Sequence, residues 1–136
     1  MTPETLDFLA AANRALANAD RVLSIEIPDQ AARLAYYAEF HAAQALIFER
    51  TGKISKTHKG VDKQFHQVAR AELAIPPGLA SQLTDAYYYK DVADYGTGDA
   101  PPVTMAQARD AIATAEHFVA TIRQALAASP PTPAVP

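Results

Sequence analysis

Between Pro28 and Gly52 the chain runs PDQAARLAYYAEFHAAQALIFERTG, with no glycine or proline inside those two ends. Alanine recurs throughout, and such a run favours one unbroken helix. Pro28 or Asp29 suits its start, and Gly52 suits a glycine cap at its end. About 22 residues at 1.5 Å rise span roughly 33 Å, enough to cross a small domain. Leu34, Ala38, His41, Ala45 and Phe48 follow helical spacing, and Tyr37, Phe40, Gln44 and Ile47 form an adjoining stripe. A helix apolar over so much of its circumference packs on more than one side. The other helices of the chain, or a second copy of it, must cover it.

The flanking sequence supplies those helices. Thr2-Pro3-Glu4 is a cap, a first-turn proline and an acid, predicting a helix to about Val22. Leu6, Leu9, Asn13, Leu16 and Asp20 mark one face of it, with Phe8 and Ala12 adjoining. After the polar, basic loop TGKISKTHKG, Thr57 is placed to cap a third helix from His58 to about Leu73. Its apolar side is Val61, Phe65, Val68 and Leu73; Gly60 sits awkwardly early in it. Ile75-Pro76-Pro77-Gly78 is a break, and a fourth helix follows from about Leu79 to Asp94, with Leu79, Leu83, Ala86 and Tyr87 on a face. Gly96 to Pro102 reads as a loop. Thr104 and Gln107 have capping-box spacing. The fifth helix, with Ile112, Ala115, Phe118 or Val119, Ile122 and Leu126 in step, ends near Ser129. The expectation is an all-α, up-and-down bundle of about five helices with a long central antiparallel pair. One domain would occupy residues 1–129, with an extended, disordered proline-rich tail at 130–136.

Charge and residue usage narrow the chemistry. The absence of cysteine excludes disulfides, thiolate metal sites and cysteine nucleophiles. No apolar run is long enough to span a membrane. The N-terminal residues lack the basic start and apolar middle of a signal peptide, so a cytoplasmic location is expected. The formal net charge is −3, yet Arg50, Lys53, Lys56, Lys59, Lys63 and Arg70 place six of the 12 Lys and Arg in one short stretch. With His58 and His66 among them, this is either a solvated loop and helix face or a patch that holds phosphate.

Three segments in order carry a resemblance. They are Ala35-Tyr36-Tyr37-Ala38-Glu39-Phe40-His41-Ala42-Ala43-Gln44-Ala45-Leu46; then Lys56-Thr57-His58-Lys59-Gly60-Val61 with Phe65; then Lys90-Asp91-Val92-Ala93-Asp94-Tyr95, followed by a helix carrying Ala115-Glu116-His117-Phe118-Val119. Together, from about Leu6 to Leu126, they resemble the HEPN domain family, in particular its small single-domain bacterial type, often encoded beside a minimal nucleotidyltransferase. The resemblance implies a helical bundle, usually a homodimer. It also implies a place in a toxin–antitoxin or defence type system, where many members are metal-independent ribonucleases. A nucleotidyltransferase antitoxin would be the partner, and RNA or a nucleotide the ligand. Other members bind nucleotides or nucleic acid, or scaffold a partner, without catalysis.

The family's nuclease signature is an Arg followed four to six residues later by a His. This sequence has Lys90 at the Arg position and Asp94-Tyr95 where the His is expected. Arg offers a planar fork to phosphate, whereas Lys is a point charge. Tyr, with an unperturbed pKa of about 10, is a poor general base near neutrality. Lys90 and Asp94 share a helical face and could pair. Tyr95 should point roughly 140° away from Lys90 if the helix continues. The candidate catalytic set is Lys90, Asp94, Tyr95 and His41, with His41 either a core histidine bonded to a neighbouring helix or a cleft residue beside Lys90. In a cleavage reading the RNA's own 2′-OH is the nucleophile, Lys90 holds phosphate, and Tyr95 or His41 assists proton transfer. The candidate nucleic-acid or nucleotide contacts are Lys56, His58, Lys59, Lys63 and Tyr87, the tyrosine offering a stacking face. With no paired Glu-x-x-His motif and no nucleotide-binding glycine motif, neither a metal nor a cofactor is expected.

Overall fold

The computed structural model describes residues 1–96 and 101–128, and among these it is all-helical. The helices are α1 (Pro3–Ser24), α2 (Pro28–Thr51), α3 (His58–Arg70), α4 (Leu79–Tyr95) and α5 (Met105–Ala127). The expected disordered tail at 130–136 and the centre of the loop between Gly96 and Pro102 lie outside the described residues.

The helix starts follow their local chemistry. Thr2 accepts from the Thr5 backbone N–H, Thr57 from that of Gly60, and Thr104 and Gln107 form a reciprocal capping box. Gly52 closes α2 in the left-handed conformation, at φ 70°, where a Cβ would be strained. The Thr2 N–H and the Thr5 hydroxyl both donate to Glu49 Oε1, at 3.1 and 2.9 Å. The start of α1 is thereby tied to the end of α2, which makes the central pair antiparallel.

Helix α2 contacts all four of the others. Its buried residues, from Ala31 to Ile47, run round most of its circumference, as a central strut requires. Helix α5 covers it with Ile112, Ala115, Phe118, Val119, Ile122 and Leu126, all buried as their spacing predicts.

Two expectations fail. On α1 the buried line is Thr5, Leu9, Ala12, Ala15 and Ala19, while Leu6, Asn13 and Asp20 face solvent. The small side chains meet α2, and the larger Leu6 is left outside. Helix α3 stops at Arg70, not near Leu73. The Ala71 and Glu72 N–H groups turn back to Val68 and Ala69 at 3.1 Å, and Leu73 is fully exposed at 105%. Ile75 is buried in its stead. The residues quoted for the α4 face divide similarly: Leu79 and Leu83 are buried, Ala86 is half-buried, and Tyr87 lies near the surface.

Candidate functional site

Three helices bring a cluster of rings and charges together. On α2, Arg33, Tyr36, Tyr37, Phe40 and His41 recur at three- and four-residue spacing and share a face. On α4, Tyr87, Lys90 and Asp94 share another by the same rule. Between them stands His58, the first residue of α3, oriented by the Thr57 cap.

His58 is a packed side chain, not a loop residue reaching into solvent. Its ring centroid lies 4.5 Å from that of Phe40 and 5.7 Å from those of Tyr36, Tyr37 and Tyr87. Its Nδ1 shares a 2.8 Å hydrogen bond with the Tyr36 hydroxyl. Burial lowers its pKa below the ordinary histidine value, and the nearby Lys90 charge lowers it further. The imidazole is therefore neutral at pH 7. Burial pushes the Tyr36 phenol upward, so it stays protonated.

The charged half of the site is held by Asp94. Its Oδ1 accepts from Arg33 Nε at 2.7 Å, and its Oδ2 lies 3.1 Å from Lys90 Nζ. The hydrogen bond from Lys90 holds the Asp94 carboxyl below the usual range, and Asp94 in turn raises Lys90. All three groups are charged, leaving one net positive charge. Lys90 is only 8% exposed, with its ammonium 5.7 Å from the Tyr87 ring centroid and 5.1 Å from that of Tyr95. Lys90 and Tyr95 thus meet although they start from different sides of the helix. The helix does run on through Tyr95, but the long lysine stem lets the ammonium reach a ring set off to one side. Tyr95 itself is exposed.

A cavity of about 310 Å³ adjoins this cluster, lined by Tyr36, His58, Lys59, Asp62, Leu83, Thr84 and Tyr87. His58, Lys59 and Tyr87 therefore come together. Lys56 and Lys63 are exposed and do not line it. Arg50, at the start of the basic stretch, is clipped to Glu72 at 2.8 Å. Among the described residues, His41 has no hydrogen bond to a neighbouring helix. Its Nδ1 pairs with Gln44 Oε1 on α2 at 2.8 Å, and its ring packs against Tyr37 and Phe40. It borders the cluster through those ring contacts.

Sequence reasoning missed Arg33, which stacks 4.9 Å over Tyr37 while gripping Asp94. The single local signal was its four-residue spacing to Tyr37. Tyr36 and Phe40 were visible as members of an apolar helix and of the segment that carries the family resemblance, with no role assigned to either. No group of three or more His, Asp or Glu side chains is placed to hold a metal among the described residues. No helix among them is long and apolar enough to cross a membrane.

Comparison with known proteins adds the following. A family model for the HEPN domain matches residues 5–125. A UPF0332 protein of Gloeobacter violaceus is 34% identical over 97 residues, covering 71% of this chain and 75% of the relative. A UPF0332 protein of Archaeoglobus fulgidus is 31% identical over 85 residues, covering 62% of this chain and 66% of the relative.

Proposed function

This chain belongs to the HEPN domain family, and from that premise we propose that it binds RNA in the cleft between α2, α3 and α4 and cleaves it without a metal. The observation that carries the reading is the His58 imidazole, packed on Phe40 and bonded to Tyr36, in the cluster that also holds the Arg33–Asp94–Lys90 ion group. The signature histidine is missing from α4, and His58 supplies an imidazole from α3 instead. When His58 Nδ1–H donates to the Tyr36 oxygen, Nε2 carries the lone pair of a general base. In the proposed step Nε2 takes the proton of an RNA 2′-OH. The 2′ oxygen attacks the adjacent phosphorus, the bond to the 5′ oxygen breaks, and that oxygen leaves with a proton from water. Lys90 and Arg33 offset the charge that builds on the phosphoryl oxygens. Tyr87 and Tyr95 offer ring faces for the flanking bases. In this reading the protein works as a homodimer within a toxin–antitoxin or defence system, with a nucleotidyltransferase as its antitoxin.

A second reading is an RNA- or nucleotide-binding module without turnover. It is favoured by Asp94, which occupies both cations and leaves neither free to follow a charge developing in the transition state.

One experiment separates the two. Labelled single-stranded RNA is incubated in EDTA with the wild type, Lys90→Ala and His58→Asn. Cleavage by the wild type that falls about 100-fold or more in His58→Asn, as loss of a general base requires, with RNA still bound, supports the nuclease. Binding by the wild type without cleavage, weakened in Lys90→Ala, selects the module. RNA bound equally by wild type and Lys90→Ala, with no cleavage, removes both.

A further inference from the structure

A second cavity, of about 540 Å³, opens between α2, α4 and α5. At its base is Glu39, 1% exposed, whose Oε1 is sealed from solvent without a hydrogen-bond partner. Gln82 Oε1 is buried and unpartnered at the same cavity. A buried acceptor left without a donor is costly, so two whose residues border one cavity call for a donor there. No cation of the chain pairs with Glu39 among the described residues; its pKa is pushed up to about 8 by burial alone.

The rest of the lining has matching character. Asp85 and Asp110 also border the cavity, and neither has an ion-pair partner among the described residues. Tyr36, Tyr88 and Tyr89 supply ring surface. Anionic or acceptor groups thus stand both at the base and nearer the surface, with aromatic and alanine walls between. Nothing in the lining is basic. An anionic ligand finds no counter-charge there, and a purely apolar one leaves both buried oxygens unmatched.

We propose that this cavity is a binding site for a small aliphatic diamine, one ammonium donating to Glu39 and Gln82 and the other facing Asp85 and Asp110. An ammonium carries three donors, enough for both buried oxygens. Its charge restores the ionised form of Glu39, which burial alone disfavours. The alkyl spacer lies on the tyrosine faces, where a cation is also attracted. This site is separate from the His58 cleft and does not depend on the RNA reading; Tyr36 and Thr84 line both cavities and form the wall between them.

The test is calorimetric titration of the whole protein with putrescine, and with tetramethylammonium as a cation lacking N–H donors. Thermal melts accompany each titration. Wild type should bind putrescine and melt higher with it, and tetramethylammonium at equal ionic strength should do neither. Glu39→Gln should weaken putrescine binding about tenfold or more, the worth of a charge-assisted hydrogen bond. Asp85→Asn should weaken it less, because its partner stays in water. Glu39→Met, which removes the unpaired carboxyl, should fold and melt higher than wild type without ligand, yet gain nothing from putrescine. The proposal is overturned if wild type shows no putrescine binding. Equal affinity in wild type and Glu39→Gln, or equal protection by tetramethylammonium, would also overturn it.

Discussion

Glu39 shows how much a single residue can carry that its sequence neighbourhood hides. It lies in the middle of the strut, where a lone acid on a long helix is ordinarily solvated. Only the packing of α4 and α5 over it makes it a buried carboxyl. Among the groups lining the same cavity are Tyr36 on its own helix, Gln82, Asp85, Tyr88 and Tyr89 on α4, and Asp110 on α5. With a folded pKa of about 8 against an ordinary 4.5, the native state keeps a proton that the unfolded chain has released. The native state binds more protons throughout that window, so stability declines as pH rises through it and levels off above. The contribution is at most about 1.4 kcal/mol per pH unit. Urea unfolding across the window, for wild type and Glu39→Met, should show this component vanish in the variant. Identical pH slopes would mean that Glu39 is ionised in the fold. The signature positions Lys90 and Asp94 were legible because their pairing is local, four residues apart on one helix. Arg33 was not, because its bond to Asp94 joins residues 61 apart in sequence.

At the scale of elements, caps and breaks were legible because they are chemistry between near neighbours. Facing was harder. Helix α1 was assigned its face from leucines, but close helix contact selected alanines. The start of α3 holds a clearer lesson. Gly60 looked like a weak helix residue, yet the structure gives it a steric reason. A Cβ there would run into the Ser55 hydroxyl and lie 2.6 Å from Ser55 Cβ. Ser55 is held by its backbone N–H to Gln64 Oε1 at 2.8 Å, and the Gly60 N–H caps on Thr57. The loop therefore folds tightly against the first turn, and that turn sets His58 against Phe40. Gly60→Ala should force the loop outward and destabilise the protein by about 1–3 kcal/mol, as overpacking does. It should also move the imidazole, seen as a changed His58 chemical shift. An unchanged melting temperature and spectrum would show that Ser55 yields without disturbing the helix start.

For the whole molecule, the order of five helices could be read because each carries its own start and stop. The cleft could not, since three helices far apart in sequence build it. The basic stretch was legible as charge but not as a site. Folding ties Arg50 to Glu72 and brings Lys59 to the cavity, while Lys56 and Lys63 stand outside its lining. An acidic protein that binds RNA through a local patch should show a modest salt dependence, set by the few cations in contact rather than by net charge. For single strands each phosphate contact contributes about 0.7 to the slope of log affinity against log salt. If the strand enters between Lys90 and Lys59, Lys59→Ala should reduce that slope by about 0.7. Arg123→Ala should leave it unchanged. Arg123 is exposed late in α5, near Ala125, whose carbonyl accepts from Arg50 at the other end of α2 from Arg33. Binding titrations over a series of salt concentrations measure both slopes. A slope that Lys59→Ala does not change, or that Arg123→Ala lowers equally, would place the RNA on another face of the bundle.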